Sequence, residues 1–429
     1  MKATLLRSGA VYGLGNVLSA GVPFLLLPIL TRALSPAEYG KVINFTLLVA
    51  LGSSVAGLSV HGAVGVQWFE RNSRDFARFV GTALIVALTS TLLSSLLLLG
   101  GASMLRAELD LAPRFWFLAA INAGATVIVG IRAGLWQSQG QAVRAASLQV
   151  GAAILNISLS LFGVFALSLG GEGRIYGVVL SSVVCAAVAV WLLFAAADAR
   201  WAVARSDVRE LLRFGIPLIP HAVAGVLLAS ADRFSVSALL GREAIGIYGT
   251  AAQIGMTMNV LGDALVKAAS PWMFAQMAAR STRARLRIVG ATYALAPVWA
   301  LIALCLWLGF KAAGSLILGA RYAAAIDLSI WFLLGGAVSA VYLNIAGLFF
   351  FTSKTEWLSL ATLSTAALGV VLAPTLVHTF GLEGGALAFL SVQVCALLAS
   401  WFLSIRIQPM PWHRPGLALR VLGKAWTEK

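Results

Sequence analysis

Long apolar stretches separated by short polar loops alternate along almost the whole of this 429-residue chain. A helix rises about 1.5 Å per residue and the hydrocarbon core of a bilayer is about 30 Å thick, so each crossing needs about 20 mainly apolar residues. The pattern therefore predicts an all-α polytopic membrane protein with twelve transmembrane helices. The predicted spans are residues 10–31, 41–61, 79–103, 113–137, 145–169, 174–197, 213–240, 245–268, 288–310, 326–351, 357–380 and 384–406.

Composition and charge agree with a membrane location. Hydrophobic residues make up 60% of the chain and charged residues only 11%, against about 25% charged residues in soluble globular proteins. The net charge of +15 does not indicate nucleic acid, because most basic residues fall in alternate loops such as 200–213 and 280–287. By the positive-inside rule, this distribution predicts that both termini are cytoplasmic.

Short sequences recur in the same order in the two halves of the chain. Trp116–Leu118 matches Trp331–Leu333, and Leu34–Gly40 matches Leu240–Gly246. Chance similarity among apolar helices is the alternative explanation. A true repeat of six spans gives both halves the same direction in the membrane, as in transporters whose two bundles rock about a central cavity.

The repeat predicts two parallel, pseudo-symmetric six-helix lobes around such a cavity. The N-terminal lobe is predicted over residues 1–198 and the C-terminal lobe over 213–407. Residues 199–212 form the predicted cytoplasmic linker, and residues 408–429 form a cytoplasmic tail predicted to rest on the membrane interface.

Ionisable residues within the spans are the candidate functional groups. Each costs about 2.5–3.5 kcal/mol on insertion scales, and such residues usually face a bundle interior or a water-filled cavity. Cations at both mouths and at intermediate depth suit a translocated anion that carries phosphate. The predicted substrate-binding residues are Arg132, Arg233, Lys267, Lys354 and Arg32. The candidates for binding a coupling ion are Asp232 and Asp263.

Several of these residues have a structural alternative that the sequence leaves open. Asp263 and Lys267 are four apart with the acid first, the order that favours a helical ion pair. Asp232 could neutralise Arg233 or Arg132 instead of binding an ion. Basic side chains near helix ends also reach lipid headgroups without any further role.

Motifs of enzymes and of resident cofactors are not found in the sequence. It contains no phosphate-binding loop, no paired histidines at metal spacing and no nucleophile elbow. We therefore expect movement of a solute and not a chemical reaction, with no metal and no cofactor. Coupling to a proton or a sodium ion stays open.

Four sequences resemble the polysaccharide transporter branch of the multidrug, oligosaccharidyl-lipid and polysaccharide exporter superfamily. They are Leu30–Gly40, Phe214–Pro220, Ala231–Phe234 and Gly246–Tyr248. The resemblance implies a flippase that moves undecaprenyl-pyrophosphate-linked oligosaccharide repeat units across the bacterial plasma membrane for surface polysaccharides such as O-antigen. The implied partners are this substrate, membrane lipids and the polysaccharide polymerase machinery.

Two relatives of that superfamily are the alternatives. A multidrug exporter is expected to carry acidic groups in its N-terminal lobe, whereas the first six predicted spans contain no mid-membrane Asp or Glu. A lipid II flippase usually has two additional helices.

Overall fold

The computed structural model of the protein describes residues 21–279, 281–352 and 354–427. Within these ranges, the side chains of residues 73, 101–108, 221, 267–268, 271, 350, 355 and 425–427 lie outside the description. All regular secondary structure of the described residues is helical. The helices are α1 (Gly21–Ala33, its described part), α2 (Pro36–Val55), α3 (Val60–Gln67), α4 (Phe76–Leu109), α5 (Pro113–Ser138), α6 (Ala142–Leu161), α7 (Gly170–Ala195), α8 (Arg205–Gly215), α9 (Ile219–Ala278), α10 (Thr282–Ile317), α11 (Ala323–Phe351), α12 (Thr355–Ile407) and α13 (Pro415–Thr427).

The described chain contains nine helical stretches that are long and apolar enough to cross a membrane. Two of them, Arg205–Val266 and Glu356–Ile407, are 62 and 52 residues long and are interrupted at Gly241 and Gly381, which have φ of 83° and 61°. Each is long enough for two crossings, and α1 is a further apolar helix. The described residues thus contain nine to twelve apolar segments, which confirms a multi-pass, all-helical membrane protein. Residues 10–20 of the first predicted span lie outside the described part.

The start of α2 follows directly from the local sequence. The Glu38 amide donates to Ser35 Oγ at 3.3 Å, and the Ser35 amide donates to Glu38 Oε2 at 3.0 Å. Pro36 follows the cap, where its missing N–H costs nothing. The Leu30–Gly40 sequence is therefore a helix-start signal as well as a family resemblance.

The span that begins with α2 is broken in its middle. Gly57, Leu58 and Ser59 all have positive φ, of 74°, 46° and 52°, and α3 begins directly after them. The Gly57 amide, which the break frees, donates to Ser90 Oγ at 2.9 Å. Non-glycine residues in this region cost about 1–3 kcal/mol each, so the surrounding packing must hold the break in place.

The chain folds into two compact units. The first comprises the described residues up to Ser230 together with Leu240–Gly246, and the second comprises Ala231–Leu239 and the residues from Ile247 onward. The core of the first unit includes Phe79, Leu84, Ile131, Leu193 and Leu211. The core of the second includes Met277, Val289, Phe349, Trp412 and Ala418. The predicted lobe boundaries at residues 198 and 213 stay a prediction.

Within the first unit, the matched sequences Leu34–Gly40 and Leu240–Gly246 lie against each other. A Cβ placed on Gly40 would collide with the carbonyl oxygen of Arg242, and a Cβ placed on Gly246 would collide with the carbonyl oxygen of Pro36. In the sequence match, Gly40 corresponds to Gly246 and Pro36 to Arg242. The two contacts are therefore reciprocal, and both positions require glycine.

Candidate functional site

Arg132 is buried in the first unit and forms an ion pair. Its side chain is 3% exposed, and its Nη1 donates to Asp198 Oδ2 at 2.5 Å. The guanidinium also lies over the Trp136 ring, 4.1 Å from its centroid, and Gln139 donates to the second Asp198 oxygen at 3.4 Å. The acid beside Arg132 is thus Asp198, the third residue after the end of α7. The role of Arg132 in substrate binding stays a prediction.

The other predicted cations are divided between the two units. Arg32 is exposed at the end of α1 in the first unit, and Lys354 is exposed directly before α12 in the second. Arg233, also in the second unit, is half-buried in α9, and its Nε is buried with no hydrogen-bond partner. The Lys267 side chain lies outside the described residues. Substrate binding by these four residues is likewise untested and stays a prediction.

The two candidates for ion coupling lie in different environments within the second unit. Asp232 is 5% exposed, and Tyr248 donates its phenolic O–H to Asp232 Oδ2 at 2.6 Å. Tyr248 is itself fully buried, and its ring packs edge-on against that of Phe332, with the ring centroids 5.1 Å apart. Asp263 is exposed. A buried carboxylate of this kind is a suitable place for a proton or a small cation.

The candidate residues chosen from the sequence did not include Arg174, the first residue of the predicted span 174–197. Helix α7 begins at Gly170 and therefore contains Arg174. Arg174 Nη1 donates to Asn156 Oδ1 and to Ser160 Oγ, each at 2.5 Å. Both acceptors are neutral, and no carboxylate of the described residues forms a salt bridge with this guanidinium.

Arg174 lines a cavity between helices of the first unit. The cavity has a volume of about 350 Å³ and is bounded by residues of α1, α5, α6 and α7. The described residues that line it include no acid. The polar residues that line it are Thr126, Gln149, Asn156, Arg174, Ser181 and Ser182. Such a lining suits an anion that also carries hydroxyl groups.

Glycines place the Arg174 side chain against α6. A Cβ on Gly173 would meet the backbone of Gly163, and a Cβ on Gly177 would lie 2.6 Å from the backbone nitrogen of Ser160. Small residues allow two membrane helices to approach this closely. Because α6 and α7 nearly touch here, Arg174 reaches both Asn156 and Ser160. The glycines at 163, 173 and 177 are the sequence signal that could have revealed this crossing.

These features define a class: a multi-pass helical membrane protein that holds charged and polar groups within its spans. The fold is similar to that of the lipid II flippase MurJ in an inward closed conformation, with a TM-score of 0.69 and 11% identity over 98% of this chain and 91% of that chain. It is also similar to a multidrug resistance transporter of the MATE family in an inward-facing conformation, with a TM-score of 0.61 and 20% identity over 92% and 94% of the two chains.

Residues 5–278 match the family described as "Polysaccharide biosynthesis protein". This match covers more than half of the chain, and the protein belongs to that family. A protein of the Lsg locus of Haemophilus influenzae is 24% identical over 362 residues, which are 82% of this chain and 86% of the relative. The family that the sequence resemblance predicted is thereby confirmed.

Proposed function

We propose that the protein is a flippase that moves undecaprenyl-pyrophosphate-linked oligosaccharide repeat units from the cytoplasmic to the outer leaflet of the bacterial plasma membrane. Membership of the polysaccharide biosynthesis family supports this proposal, as does a fold shared with a lipid II flippase. The observation that carries it is Arg174, a cation within a membrane span that lines a cavity and whose hydrogen-bond partners among the described residues are neutral.

The hydrogen-bonding capacity of Arg174 suits a pyrophosphate group. A guanidinium has five N–H donors, and two of them, both on Nη1, are directed to Asn156 and Ser160. The Nη2 and Nε donors remain for an anion, and paired donors of this kind match phosphate oxygens. Gln149 and Ser182 line the same cavity and offer groups for sugar hydroxyls.

The proposed mechanism is alternating access between two parallel, pseudo-symmetric six-helix lobes around a central cavity. The reciprocal contacts of Gly40 with Arg242 and of Gly246 with Pro36 support a two-fold relation, because a two-fold contact uses the same positions twice. In this mechanism both termini are cytoplasmic, and Arg132, Arg233, Lys267, Lys354 and Arg32 guide the anion along its path.

The energetics need no enzymatic reaction and no resident cofactor. An anion that leaves a cell with a negative interior gains about 2.3 kcal/mol per charge for each 100 mV. Coupling to a proton or a sodium ion at Asp232 would add a further driving force. The isoprenoid chain stays in the bilayer during transport, and the exported unit is handed to the polymerase machinery.

Reconstituted vesicles test this function directly. We expect purified protein to expose a polyprenyl-pyrophosphate-linked oligosaccharide to an impermeant lectin, whereas empty vesicles should not. Charge-assisted hydrogen bonds contribute about 1.5–3 kcal/mol, so Arg174→Gln should slow flipping about 10- to 150-fold. Arg174→Lys should restore part of the rate, because the charge remains but the fork of donors is lost.

The matched control for Arg174 is Arg144→Gln, which removes an exposed arginine of the same unit and should leave the rate unchanged. If Arg174→Gln flips at the wild-type rate, the cavity is not the headgroup site. If vesicles export a cationic drug but do not flip the saccharide lipid, the proposed function itself is wrong.

A further inference from the structure

A second cavity, distinct from the one that contains Arg174, lies within the second unit. Its volume is about 1160 Å³, above the range of about 300–1,000 Å³ that is usual for small-molecule sites. Residues from the end of α9, the start of α10, the middle of α11 and the tail helix α13 form its walls. Basic residues at 280–287 predict that this end of the unit faces the cytoplasm.

The walls of this cavity are mainly apolar. The large apolar residues that line it are Val266, Trp272, Met273, Ile288, Leu295, Leu419 and Leu422. Helix α13 supplies two of these residues, so the tail forms one side of the cavity. A ligand that fills this space must therefore present an extended apolar surface.

One cation interrupts the apolar lining. Arg287 is half-buried, and its Nε is buried without a hydrogen-bond partner. Gln276 and Asn344 are further polar residues of the lining, and none of its described residues is acidic. A buried donor that has no partner is costly, and an anionic oxygen would satisfy it. The arrangement suits one phosphate group at the end of an apolar chain.

The tail is fixed in place beside this cation. Tyr293 donates its hydroxyl hydrogen to the Trp412 carbonyl oxygen at 2.8 Å, and Arg285 Nη1 donates to the Pro409 carbonyl oxygen at 3.2 Å. A Cβ on Gly290 would lie 2.8 Å from the carbonyl carbon of Ala418, so α13 packs directly on the α10 backbone. The wall that α13 provides is thus part of the folded unit.

We infer that this cavity binds the phosphate-bearing end of a polyprenyl lipid, with the phosphate at Arg287 and the isoprenoid chain along the apolar walls. This inference rests on the proposed function, which supplies such a lipid as the carrier of the substrate. Arg287, the one cation among the described residues of the lining, matches one phosphate headgroup, and the long apolar lining matches its chain. The site would hold the lipid carrier at the predicted cytoplasmic end of the second unit.

Binding of undecaprenyl phosphate to the purified full-length protein in detergent tests the inference. We expect Arg287→Gln to weaken binding at least tenfold, and Ala291→Leu, which narrows the cavity, to weaken it as well. The matched control is Arg420→Gln, which removes an exposed cation of α13 that does not line the cavity and should change the Kd less than twofold. Thermal unfolding of each variant verifies that it is folded.

Two competitor lipids distinguish a polyprenyl phosphate site from a site for ordinary membrane lipid. Undecaprenol has the same chain without phosphate, and it should compete at least tenfold less well than the phosphate. Phosphatidylglycerol presents an anionic phosphate on two acyl chains and should also compete weakly. If phosphatidylglycerol binds as tightly and depends equally on Arg287, the site belongs to membrane lipid and the inference is wrong.

Binding and flipping assays keep the two proposals distinguishable. Arg287-dependent binding in a protein that does not flip the saccharide lipid would support the lipid site while overturning the proposed function. Wild-type binding by Arg287→Gln would overturn the lipid site, whatever the flipping assay gives.

Discussion

Gly40 and Gly246 provide a sharp test of the contact between the two matched sequences. An ideal Cβ on Gly40 would lie 3.0 Å from the Arg242 carbonyl carbon and closer still to its oxygen. An ideal Cβ on Gly246 would lie 2.7 Å from the Pro36 carbonyl carbon, again with the oxygen nearer. Backbone atoms cannot rotate away as a side chain can, so alanine at either position must push the two segments apart.

The net change in stability of each alanine variant is the difference between an overpacking cost and a gain in helix propensity. Overpacking costs about 1–3 kcal/mol. Because the neighbouring backbone is rigid, we take a cost of about 3 kcal/mol at these two sites. Alanine gains about 1 kcal/mol over glycine in helix propensity, which leaves a loss of about 2 kcal/mol for each variant. For a unit of this size, that loss lowers Tm by about 4–8 °C. Once one alanine has separated the segments, the second meets less resistance, so Gly40→Ala with Gly246→Ala should lose less than the sum.

Thermal unfolding in detergent, followed by the loss of the monodisperse gel-filtration peak, measures these effects. Gly151→Ala is the matched control, because this α6 glycine has nothing within 4 Å of an added Cβ and the substitution should not lower Tm. The reasoning is refuted if Gly40→Ala has the same Tm as Gly151→Ala. It is also refuted if the Tm losses of Gly40→Ala and Gly246→Ala add in full in the double variant.

Two further predictions concern buried carboxylates. Asp198→Asn should destabilise the protein by about 3 kcal/mol, because breaking a buried pair leaves the Arg132 charge uncompensated. Adding Arg132→Gln should recover part of this loss in thermal unfolding. If the effects of the two substitutions are strictly additive, the pair is not coupled. Asp232→Asn should abolish any acceleration of flipping by an imposed pH or sodium gradient. The control Asp327→Asn, which changes an exposed acid, should keep this acceleration. Acceleration that persists in Asp232→Asn would exclude this carboxylate as the coupling group.

Much of the secondary structure follows from the sequence because the membrane imposes a minimum length on apolar helices. The short gaps between spans predicted at 241–244 and 381–383 coincide with the helix interruptions at Gly241 and Gly381. The cap formed by Ser35 and Glu38 follows from local spacing alone. The break at Gly57–Ser59 was not predictable in this way, because it lies within a continuous apolar run and depends on packing from other helices.

Ion pairing was the part of the candidate site that sequence reasoning could not determine. Arg132 and Asp198 are 66 residues apart and meet only because α5 and α7 pack together. Arg174 was overlooked for a different reason, since a charge at the very edge of an apolar run resembles a loop residue. Its position became clear only when the glycine crossing placed it against Asn156 and Ser160.

The distribution of these pairs decides which cation of the first unit can attract a substrate. Most of its other buried or half-buried arginines lie beside carboxylates that reduce their field, as in Arg132 with Asp198, Arg74 and Arg78 with Asp207, and Arg242 with Asp110. Arg174 is held by an amide oxygen and a hydroxyl, which orient the guanidinium without cancelling its charge. Low dielectric surroundings strengthen an uncancelled charge, so the field within the first unit is concentrated at the Arg174 cavity. We therefore expect an anion that enters this unit to be drawn to Arg174 before the paired arginines.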